Sequence, residues 1–486
     1  MHISRLLSVM VLVLGVAARA SAQPVSCAAA SNLCTGDPCT TTAIEVEPNC
    51  MVDFGNVTLV IGGQLEVPSG GTLAFTASSI IVEGRIEASG ASVTLTADMG
   101  AADLRTEVDV GAGSFTVNAT GNIDVKQRVK AKTGGSITLA ADGTLETKIA
   151  AVIEAGGTID LSGDTGVTLG GKVFAGEAGS SNVQITSSAG LVTLNQDVRA
   201  SSTVPSTITV DGATGVVVNK NVYASGIGGP GGAIALASSG GDVALHGKLR
   251  VKGDDAGSVT ITAPNGEVKP IGIDAKGQLN GGTVTITADT IELLKSIDAE
   301  GKAGVGGTVT LTATTAVTVG ADIEAQGETN GGAITLAGDL ASGSVVVIKS
   351  LKLGAKSGNG GTLTVSAPAG AVSLGKGKVD ASSKGGTGGS VFVDGSAITV
   401  GPKARIEADG TLGGEVRFDQ SGAGTFSLNA SIDARDDGII EALAPAGTLT
   451  VTGRLLAGPA GCVGLAAGTL NAGGAMPDVP VTPSCP

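Results

Sequence analysis

Acidic side chains recur at one position of a repeating unit, as in Ile297-Asp298-Ala299: Glu87, Glu154, Asp274, Asp298, Glu324, Asp380, Glu407 and Asp433 all occupy it. Asp274, Asp298 and Glu324 fall in successive units. If the units stack, these three carboxylates stand about 5 Å apart, close enough to repel one another or to share a hard cation such as calcium. Lys130, Arg199, Arg250 and Lys352 take the same position in intervening units, and Lys276, Lys295 and Lys302 flank the trio. Solvated carboxylates beside their counter-charges are the plainer reading and the one favoured. A polysaccharide lyase would need the same acids to hold calcium and a lysine or arginine as base. No unit stands apart from the others, and with no tryptophan and one tyrosine, Tyr223, a sugar-stacking cleft is hard to furnish. The expectation is no catalytic residue, no cofactor beyond that optional calcium, and a protein that is not an enzyme.

A second pattern is hydroxylic. Ser258, Thr260 and Thr262, then Thr283, Thr285 and Thr287, then Thr308, Thr310 and Thr312 alternate along three successive units, and Thr335, Thr362 and Thr364 continue the series. Threonine favours strands and pairs with itself along a ladder, which accounts for the pattern without a ligand, although the same face could bind a surface through its hydroxyls. Phe392, Asp394 and Arg417 interrupt it further on. Beyond residue 22, His246 is the sole histidine, so histidine-based triads and HExxH metal sites are excluded, and His246 itself reads as a solvated corner residue. The Gly-x-Gly strings do not open helices, so no nucleotide loop is implied.

The elements that must position these residues are legible in composition and period. The chain has 486 residues, 79 of them glycine, with 42% hydrophobic but only 2% aromatic residues. Such a balance argues against wholesale disorder and equally against an ordinary helical or α/β enzyme. A small pair followed by an alternating strand recurs from GGTLAFTA at Gly70 through GGTVTITA at Gly281 and GGTVTLTA at Gly306 to GGEVRFDQ at Gly413. Each unit holds three short runs. In the unit starting at Gly281, Val284 and Ile286, then Ile291 and Leu293, then Ile297 and Ala299 face one way, while Thr285, Glu292 and Asp298 face the other. A single unit cannot bury its inward row; stacked units share one core. The pattern predicts an all-β chain, a right-handed, three-sided parallel β-helix of about 15–16 coils, each of 20–29 residues. Consecutive β-sandwiches would need hairpin turns and domain boundaries that the span from Gly55 to Gly447 lacks.

The ends differ from the middle. Residues 1–22 carry Arg5, an apolar run from Leu6 to Val16 and the small-residue site Ala20-Ser21-Ala22, the signature of a secretory signal peptide. Its removal leaves a formal charge of −16. An acidic chain without a basic stripe is a poor partner for nucleic acid, and no later segment is long and apolar enough for membrane insertion. Cys27, Cys34, Cys39 and Cys50 lie at the front, Cys462 and Cys485 at the back. In an exported chain these read as disulfides, two in the front group and one tying down the tail, with pairing left open; zinc would want two close cysteine pairs. The expected organisation is a cysteine-rich N-terminal cap over 23–54, coils over 55–454, and a C-terminal cap with a proline-rich tail over 455–486 that cannot continue a ladder.

Where GGTVTITA and GGTVTLTA occur together with IDAEG and IEAQG, the chain resembles secreted bacterial β-helix repeat proteins, with the filamentous-haemagglutinin-type adhesins the nearest comparison. That resemblance, within the pectin-lyase-like superfold, covers residues 55 to about 455 and implies an exported adhesive or structural rod at the cell surface, in the extracellular space or in the periplasm. The same fold houses polysaccharide lyases and hydrolases, and the threonine ladder resembles the arrays of β-helical ice-binding proteins. The reading adopted is a non-catalytic rod making multivalent contacts with a surface or matrix glycan or protein, with end-to-end or lateral self-association open to it.

Overall fold

The computed structural model describes residues 24–176, 181–226, 228–339, 343–472, 476–477 and 481–485; the expected signal peptide lies outside them. Within these bounds the chain is a parallel β-solenoid of about 18 turns. Its strands pair only with their equivalents one coil before and after, on three ladders. The first runs from Cys50–Asp53 through Thr72–Ala77 and Ser92–Ala97, with Leu73 opposite Val93 and Phe75 opposite Leu95. The second runs from Cys39–Thr41 through Thr58–Ile61 and Ser79–Val82. The third runs from Ile44–Glu45 through Leu65–Val67 and Ile86–Ala88. From Ser258–Lys269 onward the first two strands of several coils fuse into one long strand bent at an irregularity, such as that between Ala263 and Glu267. A short fourth ladder of single bridges links Gly277, Gly301, Gly327, Ala355 and Ser383.

Alternation produces this arrangement directly. In Thr283–Leu293 the residues Val284, Ile286, Ala288, Ile291 and Leu293 are buried, while Thr283 and Thr287 are exposed. Ile261, Ile286 and Leu311 stack in register in the interior, none of them exposed. Each such aliphatic contributes roughly 1.5–3 kcal/mol by leaving water. Valine, isoleucine and leucine fill most of the bore, and buried rings gather toward the ends, where Phe54 meets Phe75 edge-on at 5.4 Å and Phe418 meets Phe426 at 5.6 Å. The buried Gln420 is fully satisfied: its Oε1 accepts from Ile398 N–H and its Nε2 donates to the carbonyls of Gly422 and Gly424.

Both ends depart from expectation. The cysteine-rich front segment is itself a coil, because Cys39–Thr41, Ile44–Glu45 and Cys50–Asp53 all join ladders, so the boundary drawn at residue 55 is no break in the stacking. That coil, and others at the rear, take the turns from 15 or 16 to about 18. The tail also pairs, Arg454 with Met476 and Val463 with Val481, although prolines were expected to end the ladder. Proline forbids only its own N–H bond, so short paired stretches survive on an outermost strand, with Pro477 itself opposite Leu455. Three disulfides fasten these ends: Cys27–Cys50 and Cys34–Cys39 at the front, Cys462–Cys485 at the back. They suit an oxidising compartment. Among the described residues no helix is long and apolar enough to cross a membrane.

Candidate functional site

The third ladder gathers the acidic column as the sequence predicts. Arg250, Asp274, Asp298, Glu324, Lys352, Asp380, Glu407 and Asp433 occupy one register on successive coils. The outcome is a row of ion pairs. Arg250 Nε lies 2.8 Å from Asp274, Lys276 Nζ 2.6 Å from Asp298 and 3.1 Å from Glu300, and Lys352 Nζ 2.7 Å from Glu324. Lys378 bridges Asp380 and Glu407, and Arg405 also meets Glu407. Burial raises the Asp298 carboxyl above its ordinary value, against the pull of the Lys276 ammonium. On Lys276, burial works to lower the pKa, but hydrogen bonds to Asp298 and Glu300 raise it overall. The trio is therefore brought together, yet each member already holds its own cation. Among the described residues no group of three or more histidine, cysteine, aspartate or glutamate side chains is arranged to hold a metal.

One carboxyl behaves differently. Asp409 sits beside Asp433, whose two oxygens take Arg435 at 2.6 and 2.7 Å, leaving Asp409 only a 3.4 Å contact with that guanidinium and the Arg435 backbone N–H at 2.9 Å. Burial first, and then hydrogen bonding to the Asp433 carboxylate, push Asp409 up to about 6. Since the folded value exceeds the unfolded one of about 3.9, the folded chain holds this proton more tightly. Stability from this group is complete below about pH 4 and is lost as pH rises through 6. Asp409→Asn should therefore raise stability at pH 7.5 by about 1–3 kcal/mol and leave it unchanged at pH 4. Denaturation midpoints at the two pH values check this; equal shifts at both would reject it.

The hydroxyl array is also assembled. Ser258, Thr283 and Thr308 lie in one row across coils, Thr260, Thr285 and Thr310 in the next, and Thr262, Thr287 and Thr312 in the third. Ala233, Ala235 and Ala237 border this block on one side, and Ala333, Thr335 and Ala337 on the other. It is three coils wide. His246 lies exposed at a corner with Nδ1 3.0 Å from Asn219 Oδ1, as its sequence context implied.

Sequence reasoning missed the other half of the third-ladder column. Phe174, Arg199, Tyr223 and Arg250 stand in register on four successive coils, so rings and guanidinium groups alternate along the rod. The arginines were visible as interruptions of the acids; the intervening Phe174 and Tyr223 carried no signal until the register was known.

No protein-family model matches the chain, and no curated protein is similar to it. Among solved structures, the crystal structure of the HMW1 secretion domain from Haemophilus influenzae is similar at 12% identity, over 82% of this chain and 91% of that one, with a TM-score of 0.31. A likeness of that size carries no argument about what this chain does.

Proposed function

We propose that the chain is an exported, non-catalytic rod that presents rigid, repeated faces for multivalent contact with a surface or matrix. The supporting observation is the acidic column of the third ladder. Its carboxylates, which a lyase or hydrolase would use, hold lysine or arginine partners on the same or an adjacent coil, an arrangement that offsets charge repulsion along the stack. At about 4.8 Å per coil, some 18 turns give a rod of about 85 Å, along which weak contacts add through proximity.

The test incubates the purified mature protein with neutral and acidic polysaccharides, with and without calcium, and scores new chain ends together with co-sedimentation. Co-sedimentation without new ends is expected, indifferent to calcium. Calcium-dependent new ends that vanish when Asp274, Asp298 and Glu324 become alanine would replace this reading with a polysaccharide lyase or hydrolase.

A further inference from the structure

We infer that Asn265 is a site of spontaneous covalent modification, deamidation through a cyclic imide with Gly266, and that the solenoid withholds the same reaction from three other Asn-Gly pairs. The inference stands apart from the reading of the chain as a contact-making rod.

Asparagine precedes glycine four times, at Asn265, Asn280, Asn330 and Asn359, and all four asparagines are exposed. Glycine leaves the approach to its nitrogen open, so sequence and exposure would make the four equally reactive. In the reaction the Gly266 nitrogen bonds to Asn265 Cγ and the Cγ–Nδ2 bond breaks. The glycine proton leaves with the amide nitrogen as ammonia. Water then opens the imide, at Cγ to give aspartate or at the main-chain carbonyl to give isoaspartate. Two motions are required: the glycine N–H must come free of any acceptor, and Cγ must swing onto that nitrogen.

At three of the pairs the next coil opposes both motions. Asn280 Oδ1 accepts from Val305 N–H at 2.9 Å, while Gly281 N–H donates to the carbonyl of the same Val305 at 2.9 Å. Asn330 and Gly331 clasp Asn359 in this way at 3.0 and 2.9 Å, and Asn359 and Gly360 clasp Thr387 at 3.2 and 2.9 Å. Asn280 has a further anchor, its Nδ2 donating to Asp255 Oδ1 at 2.8 Å. Each side chain thus extends the backbone ladder by one acceptor, and cyclisation has to break two bonds to the coil above.

Asn265 is held differently. Its Nδ2 donates to Ser239 O on the preceding coil at 2.8 Å, and among the described residues nothing on the next coil donates to its Oδ1. Pro264, Asn265 and Gly266 also fall where the pairing of Ser258–Lys269 with Thr283–Leu293 is interrupted, between the partners Ala263–Ala288 and Glu267–Thr290. Glu267 N–H, which follows, turns to the Asp242 side chain at 2.8 Å. Conversion therefore adds a carboxylate beside Asp242 and Glu267 at the bend between the first two ladders, on a side chain whose exposure lets the coils stay intact.

The test is peptide mapping by mass spectrometry after the full chain has stood for weeks in mildly alkaline buffer, folded or unfolded in urea. In the folded chain Asn265 is expected to convert at least about tenfold faster than Asn280, Asn330 or Asn359, the cost of freeing two hydrogen bonds. In urea all four should convert at similar rates. Aged folded protein should gain an acidic form on isoelectric focusing that comigrates with Asn265→Asp and is missing from aged Asn265→Gln, and circular dichroism should be unchanged. Equal conversion at the four sites of the folded chain, faster conversion at a clasped site, or an intact Asn265 where the unfolded chain converts at all four would overturn the inference.

Discussion

Gly306→Ala is expected to destabilise the solenoid by about 1–3 kcal/mol or more, although alanine is the smallest possible addition and the site is a surface corner. Coil-to-coil distance sets the cost. A Cβ at Gly306 would lie 1.9 Å from the Ala325 carbonyl oxygen and 2.6 Å from the Gly332 nitrogen, both backbone atoms of the next coil held by the ladder. Its neighbour Gly307 donates its N–H to Ala299 O at 2.7 Å, which pins the corner from the other side. The same clash recurs at Gly281, Gly331, Gly360 and Gly388, so the small pair that opens these units exists to let one coil's corner sit on the next. Gly424→Ala is the matched control, because its Cβ would meet nothing within 4 Å, and a change within about 0.5 kcal/mol is expected. Denaturation midpoints compare the two, and amide exchange should show opening centred on Thr308–Val319 for the first variant. Equal midpoints for both variants would refute the close-stacking account of the glycine pairs.

Ile286→Ala should cost about 2–5 kcal/mol, while the adjacent Thr285→Ala should cost no more than about 1 kcal/mol. These two residues are consecutive on one strand, one wholly buried between Ile261 and Leu311 and the other in the hydroxyl row between Thr260 and Thr310. Truncating the isoleucine leaves a void in a bore whose walls are fixed by backbone ladders on all sides and cannot collapse inward. Truncating the threonine forfeits only cross-strand contacts at the surface. Urea denaturation of both variants measures the difference; a cost at Thr285 equal to that at Ile286 would mean that the inward and outward faces have been exchanged.

The fold was legible because side-chain direction has a period of two and each unit repeats its aliphatic anchors, so inward and outward rows follow from the order of residues. The same arithmetic put Asp274, Asp298 and Glu324 in one column and Thr260, Thr285 and Thr310 in another, and the ladders bear out both registers. The ends were less legible. Cysteines and prolines masked the repeat there, since a coil can pair its backbone without the glycine pair and threonine strand that announce the others.

What the sequence could not supply is which charge meets which. Unit lengths vary, so a cation's neighbour on the next coil is not at a constant distance along the chain. Lys276 follows Asp274 closely but pairs with Asp298 on the next coil, and Arg435 satisfies Asp433 at the expense of Asp409. Tyr223 was likewise a lone ring in the sequence; the parallel ladder brought Arg199 and Arg250 to either side of it. By itself the sequence determined the solenoid, its core rows and its outward columns, because those depend on alternation within one coil. Only the tertiary structure decided the ion pairs, the raised Asp409 carboxyl and the aromatic-cationic column, because those depend on contacts between coils, where spacings of a few ångströms join residues some 24 to 28 positions apart.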